Sequence, residues 1–249
     1  MPPYSRSTYL DRHRHTSYSA NAVLAILLER LPGIQSAVDV GCGVGTWLSI
    51  LREKGVSDVL GVDGGWVDPA LLVIPKDCFK QMELDKTEIR LPRKFDLAIS
   101  LEVGEHLPPS RAKCLVRSLT ELADCVLFSA AIPFQLGRGH INEQWPSYWV
   151  RLFGDLGYAA HDFIRPAIWN DDLIPFWYRQ NILVFTARST IEGRASSVAP
   201  TIGEALPLDL VHPELYLERA ATQLGVRSSF RHFCRALQDY MYKKCGKGA

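Results

Sequence analysis

The chain has 249 residues, 47% of them hydrophobic and 22% charged, with 28 Lys and Arg against 27 Asp and Glu and a formal net charge of +1. That composition excludes a wholly disordered chain, which would be poorer in apolar residues and farther from neutrality. It suits one large α/β domain with an appendage. The near-neutral balance argues against a whole-chain cationic field for nucleic acid or anionic lipid.

Residues 1–20 are polar and rich in Tyr, Ser, Arg and His, which predicts an arm, and Asn21–Leu31 reads as a helix stopped by Pro32-Gly33. The apolar run Ala22–Leu28 is too short to span a bilayer, and Glu29 and Arg30 follow it where a secretory leader would carry a small-residue cleavage site. No membrane association is expected. The six cysteines form no C-x-x-C pair, as expected of reduced thiols in a cytoplasmic protein. Short β-rich runs follow at Ala37–Val40, Val59–Asp63, Phe79–Leu84, Phe95–Leu101 and Val126–Ala130, with helical patterns at Thr46–Lys54 and Ser110–Ala123 among them. Strands alternating with helices predict an α/β chain with a mainly parallel sheet covered by helices on both faces. A further helix is expected at Trp145–Leu156 and a late strand at Ile182–Thr186.

The organisation expected is an N-terminal arm and cap helix (1–34), a catalytic domain (35–188), a linker (189–207) that is small, polar and unpatterned, and a helical appendage (208–249). In that appendage Phe230, Phe233, Cys234, Leu237 and Met241 recur at helical spacing beside Arg231, Arg235, Lys243 and Lys244. Such a face packs on a core or on a second copy of the chain, so a homodimer is an expectation.

The segment Asp39-Val-Gly41-Cys42-Gly43-Val-Gly45-Thr46 lies where the first strand turns into the first helix. Glycines there let backbone pass close to a ligand, and the N–H groups of the helix start favour its anionic end. Asp63 ends the second strand, where a carboxylate can accept hydrogen bonds from ribose hydroxyls. A dinucleotide fingerprint G-x-G-x-x-G would need glycine where Thr46 stands. The spacing G-x-G-x-G after Asp39, with Gly61-Val-Asp63, instead resembles the class I S-adenosylmethionine-dependent methyltransferases. That resemblance, over roughly residues 35–187, implies a Rossmann-like seven-stranded fold and S-adenosyl-L-methionine as cofactor. It implies Asp39, Gly41 and Gly43 on the methionine moiety, Asp63 on the ribose and Leu84 with Asp85 on the adenine, with Cys42 and Leu101 also among the cofactor-binding residues.

Glu102, Glu105 and His106 form E-x-x-E-H, whose members share one face if the segment is helical. Two carboxylates and an imidazole suit a divalent ion such as Mg or Mn. The pattern is similar to one in ubiquinone-pathway O-methyltransferases and small-RNA 2′-O-methyltransferases, where it implies an ion near the acceptor hydroxyl. His140 follows the fifth strand, whose loop should share a crevice with that of the fourth, and completes a candidate set Glu102, Glu105, His106 and His140. Without an ion, His140 and then His106 are the candidate general bases. Aromatic residues from Trp145 to Tyr178 crowd this half, and Arg179 reads as an anion clamp or a surface salt-bridge partner. The expected reaction is O-methylation of a small-molecule, sugar or natural-product hydroxyl. RNA 2′-O-methylation, or a binding protein that keeps the fold without activity, are the rival expectations.

Overall fold

The computed structural model describes residues 6–188 and 207–223. By its contacts the chain divides into two compact units, Met1–Leu210 and Val211–Ala249. In chain order the first unit runs α1 (Arg6–Arg30), β1 (Ser36–Val40), α2 (Thr46–Glu53), β2 (Asp58–Asp63), β3 (Phe79–Gln81) and β4 (Leu97–Leu101). It continues through α3 (Ala112–Leu122), β5 (Cys125–Ser129), α4 (Pro146–Gly154), β6 (Tyr158–His161), α5 (Arg165–Ile168), α6 (Phe176–Asn181) and β7 (Leu183–Ala187). Of the second unit, α7 (Pro213–Gln223) is described. The expected linker and the apolar stripe Phe230–Met241 lie outside the described residues.

The strand order is β3-β2-β1-β4-β5-β7-β6. Every pairing is parallel except those of β7, which runs antiparallel to both β5 and β6. Both faces are covered, as in other parallel sheets. Alternate residues of one strand serve opposite cores. Val126 and Phe128 of β5 pack with Leu115, Leu119, Trp149 and Phe153 of α3 and α4, whereas Leu127 packs with Leu24, Leu27, Trp47 and Leu51 of α1 and α2.

Two expectations are corrected, and one strand is new. The arm over 1–20 is helical from Arg6, because no glycine or proline interrupts the chain between Arg6 and Arg30. The third strand stops at Gln81 rather than Leu84, because Glu83 C=O opens a turn by accepting the N–H groups of Lys86 and Thr87. Strand β6, Tyr-Ala-Ala-His, carries no β-branched residue and gave no strand signal. Buried Arg165 of α5 pairs with Asp162 and donates to the carbonyls of Gln180 and Leu208, which ties α5 to α6.

Candidate active site

The C-terminal ends of β1, β2, β4 and β5 open on one edge of the sheet, and the sequence-predicted residues gather there. After β1, Gly41, Gly43 and Gly45 have φ of +87°, +55° and +87°, a left-handed backbone that L side chains rarely adopt. Gly41 is also a point of close approach, since a Cβ there would stand 2.3 Å from Val103. Around Gly43 nothing lies within 4 Å of that position, so the loop presents bare backbone.

Asp63 fastens this loop to the end of β2. Its Oδ2 accepts the Gly43 N–H at 2.7 Å, its Oδ1 accepts the Gly64 N–H at 2.7 Å, and the Trp66 side chain donates as well. Burial raises its pKa, and those donors pull it back. Each oxygen keeps acceptor capacity for a ligand hydroxyl.

Asp39 lies buried within β1, and its Oδ2 has no hydrogen-bond partner. Burial first, and then the charge of Asp63, push its carboxyl well above the usual range. A bare buried carboxylate oxygen is costly, and a ligand cation beside it would offset that cost. The ammonium and sulfonium of S-adenosylmethionine are such cations, so the residues present fit the cofactor the sequence implies. Cys42 is buried with its thiol pushed well up by burial, which keeps it neutral and inert. Leu84 is buried beyond β3, Leu101 is half-buried at the end of β4, and Asp85 is exposed. Glu83, the neighbour of Leu84, accepts the Gly65 N–H on Oε1 at 3.2 Å.

After β4, a single turn of 3₁₀ helix, Gly104–His106, carries Glu105 and His106. The loop after β5 is stitched onto this turn. The N–H groups of Ile141 and Asn142 both donate to Glu105 C=O, the Asn142 side chain donates to Gly104 C=O, and His106 Nδ1 lies 3.2 Å from Gly139 O. His140 is thereby brought against His106, with ring centroids 4.9 Å apart, and its Nδ1 is held at 2.9 Å by Glu143 Oε1. Ligand atoms of Glu105, His106 and His140 all lie within 4.8 Å of one another. Glu105 Oε2 is buried without a hydrogen-bond partner, and burial together with the nearby charge of Glu102 raises its pKa well above the usual range. One carboxylate and two imidazoles, with the second imidazole backed by Glu143, make a set that fits a divalent ion.

Glu102 is the exception. It does not share a helical face with Glu105 and His106, because it precedes the turn with φ +55° and is not among those three. Its carboxylate accepts Asn181 Nδ2 on Oε1 and Gln135 Nε2 on Oε2, each at 3.1 Å. Gln180, fully buried, donates to both Gln135 Oε1 and Asn181 Oδ1 and closes the cluster. Burial raises the Glu102 pKa, and Asn181, Ser129 and Gln135 lower it in turn. These three amides come from the loop after β5 and from α6, and no local motif announced them. Of the two expectations for Arg179, the salt bridge is present, to the exposed Asp172 at 3.3 Å. Arg179 itself is buried and also donates to Trp169 C=O. Of the crowded aromatics, Trp149 and Tyr178 are core, while Trp145 and Trp177 are partly exposed.

A family model described as "Methyltransferase domain" matches residues 10–160, more than half of the chain. No curated protein sequence matches it. Among solved structures, an O-methyltransferase family protein from Burkholderia thailandensis aligns with a TM-score of 0.54 at 13% identity, covering 72% of this chain and 58% of that one. The methyltransferase domain of bacterial CtHen1-C aligns at 0.50 with 19% identity, covering 70% and 98%. Magnesium protoporphyrin IX methyltransferase from Synechocystis PCC 6803, crystallised with bound S-adenosylmethionine, aligns at 0.48 with 21% identity, covering 70% and 80%. At these identities the likeness is one of fold, and the family match carries the assignment. A Rossmann-like sheet, a glycine loop fastened by Asp63 and a matched domain agree: the chain belongs to the class I S-adenosylmethionine-dependent methyltransferases.

Proposed function

We propose that this methyltransferase O-methylates a hydroxyl of a small molecule, with a divalent ion held by Glu105, His106 and His140. The observation that carries the reading is the convergence of those three side chains within 4.8 Å beside the cofactor loops. Transfer from a sulfonium is an in-line displacement with a good leaving group already in place. The protein's share is therefore alignment and removal of the acceptor proton. An ion at that set would lower the pKa of a hydroxyl bound beside it. Asp39 would receive the cofactor ammonium, Asp63 its ribose, and Val103, packed on Gly41, would link the two halves. Glu102, clamped by amides, would orient the acceptor from outside the ion's ligand set. RNA 2′-O-methylation draws on the same acid–histidine set and differs in the acceptor.

The test is transfer of a labelled methyl from S-adenosylmethionine to phenols, sugars and a short oligoribonucleotide, with and without EDTA. The expected outcome is transfer to an oxygen that EDTA abolishes and Mn²⁺ or Mg²⁺ restores, while S-adenosylhomocysteine binding persists. Transfer that EDTA leaves untouched overturns the ion, and a methylated nitrogen overturns the hydroxyl.

A further inference from the structure

The loop between Ile132 and Trp145 alternates in a way that packing alone does not require. Gln135 is buried and holds Glu102, yet its two neighbours stand in solvent, Phe134 at 78% and Leu136 at 59% exposure. Both neighbours have left-handed backbone, φ +68° and +57°, where Gly or Asn would sit without strain. A third apolar side chain, Ile141, is 59% exposed, and its N–H is fixed to Glu105 C=O at 2.8 Å. Exposed apolar side chains on strained backbone are retained where a ligand uses them.

The loop ties these side chains to the chemistry. Glu143 holds His140 Nδ1 with one carboxylate oxygen and accepts the Phe134 N–H at 2.9 Å with the other. Leu136 is followed by Gly137, where a Cβ would stand 2.2 Å from His140 Nε2, so Leu136 begins one residue from the imidazole. Between Ile132 and Trp145 the loop carries one arginine, Arg138, and one glutamate, Glu143, so it has no excess of formal cationic charge for a phosphate chain.

We propose that Phe134, Leu136 and Ile141 form the acceptor-docking rim, and that the acceptor carries its hydroxyl on an apolar body, an aromatic ring or an aliphatic chain, rather than on a sugar or a nucleotide. This rests on the O-methylation reading above, because it is the hydroxyl presented at His140 that places the rest of the acceptor on this rim.

The experiment uses the full chain saturated with S-adenosylhomocysteine and, as probes, the series from 4-methylphenol to 4-hexylphenol, with glucose and a short oligoribonucleotide for comparison. Calorimetry should show affinity rising two- to fourfold per added methylene, approaching the value for full burial of each one. In the variant Phe134→Asn with Leu136→Asn the slope should flatten and 4-hexylphenol should bind at least tenfold more weakly. Asn adopts the left-handed backbone readily, so thermal stability and S-adenosylhomocysteine affinity should hold and misfolding is checked directly. An equal slope in the variant, phenol affinity independent of chain length, or preferential binding of the oligoribonucleotide or glucose overturns the proposal. So does a wild-type dimer that the variant converts to monomer without a change in phenol binding. Mn²⁺ binding, measured on the same samples, separates the two readings: a chain-length slope without Mn²⁺ binding sustains the rim and overturns the ion.

Discussion

The half of this site around β1 and β2, proposed for the cofactor, and the half around β4 and β5, proposed for the acceptor, are built from different materials. Around β1 and β2 the recognition surface is mainly backbone, three left-handed glycines and two N–H groups gathered by one carboxylate, Asp63. Around β4 and β5 it is side chains held by other side chains: Glu102 by Asn181 and Gln135, the turn bearing Glu105 by Asn142, and His140 by Glu143 of its own loop. A backbone cradle suits a ligand common to a whole family. A side-chain constellation can change its acceptor by substitution without disturbing the sheet.

The sharpest way to break this comparison is at His140. His140→Ala should lower methyl transfer by about 10²–10⁴-fold, the range for a positioned proton-transfer group, and should abolish Mn²⁺ binding. S-adenosylhomocysteine affinity, read by calorimetry, should be unchanged, and a parallel loss would show that the halves are not separable. Next comes Asp63→Ala on the cofactor side. Loss of a charge-assisted hydrogen bond, with the glycine loop released, should cost about 1.5–3 kcal/mol of S-adenosylhomocysteine binding. Mn²⁺ binding should survive.

Gly137→Ala tests the acceptor side without removing a functional group. The added methyl would meet His140 Nε2 at 2.2 Å, so the ring must move. Overpacking of this kind costs about 1–3 kcal/mol, and the ring shift should weaken Mn²⁺ binding severalfold at constant cofactor affinity.

The smallest expected effect has the opposite sign. Asp39→Asn removes a buried carboxyl whose Oδ2 has no hydrogen-bond partner and whose ionisation burial opposes, so the ligand-free protein should gain roughly 1 kcal/mol, about 2–4 °C in Tm. The Asp39 pKa is raised in the folded state, so its ionisation destabilises the wild type as pH rises above the unfolded carboxylate value near ~3.9. The variant's advantage should therefore vanish at acid pH and grow toward neutrality. Its stabilisation by S-adenosylhomocysteine should shrink, because the partner of the ammonium is gone. A Tm difference that does not vary with pH would show that burial does not oppose the ionisation of Asp39.

The same division governs what the sequence discloses. The glycine loop, Asp39 and Asp63 are legible because backbone recognition is written in local spacing, and the alternation of strands and helices sets the sheet. His140 beside His106 is legible at one remove, through the neighbouring places of β4 and β5. The helical face drawn through Glu102, Glu105 and His106 fails because Glu102 takes a left-handed backbone, a choice imposed by the crossing to the β5 loop and invisible in E-x-x-E-H. Gln135, Gln180 and Asn181 look like ordinary polar residues until α6 folds over the end of β4. The bond from the Gly65 N–H to Glu83 likewise depends on the turn after β3, which local spacing does not show.

Helix α1 meets both halves. His13 lies 3.0 Å from Thr46, the first residue of the helix behind the glycine loop, and Tyr18 donates to Asp171 in the segment before α6. Between them Thr16 reaches the Tyr178 hydroxyl, which is also bonded to Trp47. A single rigid rod laid across two loops is a mechanical linkage. Removing the part of α1 through Tyr18 would cut both ties together and disturb the glycine loop and the segment before α6 at once.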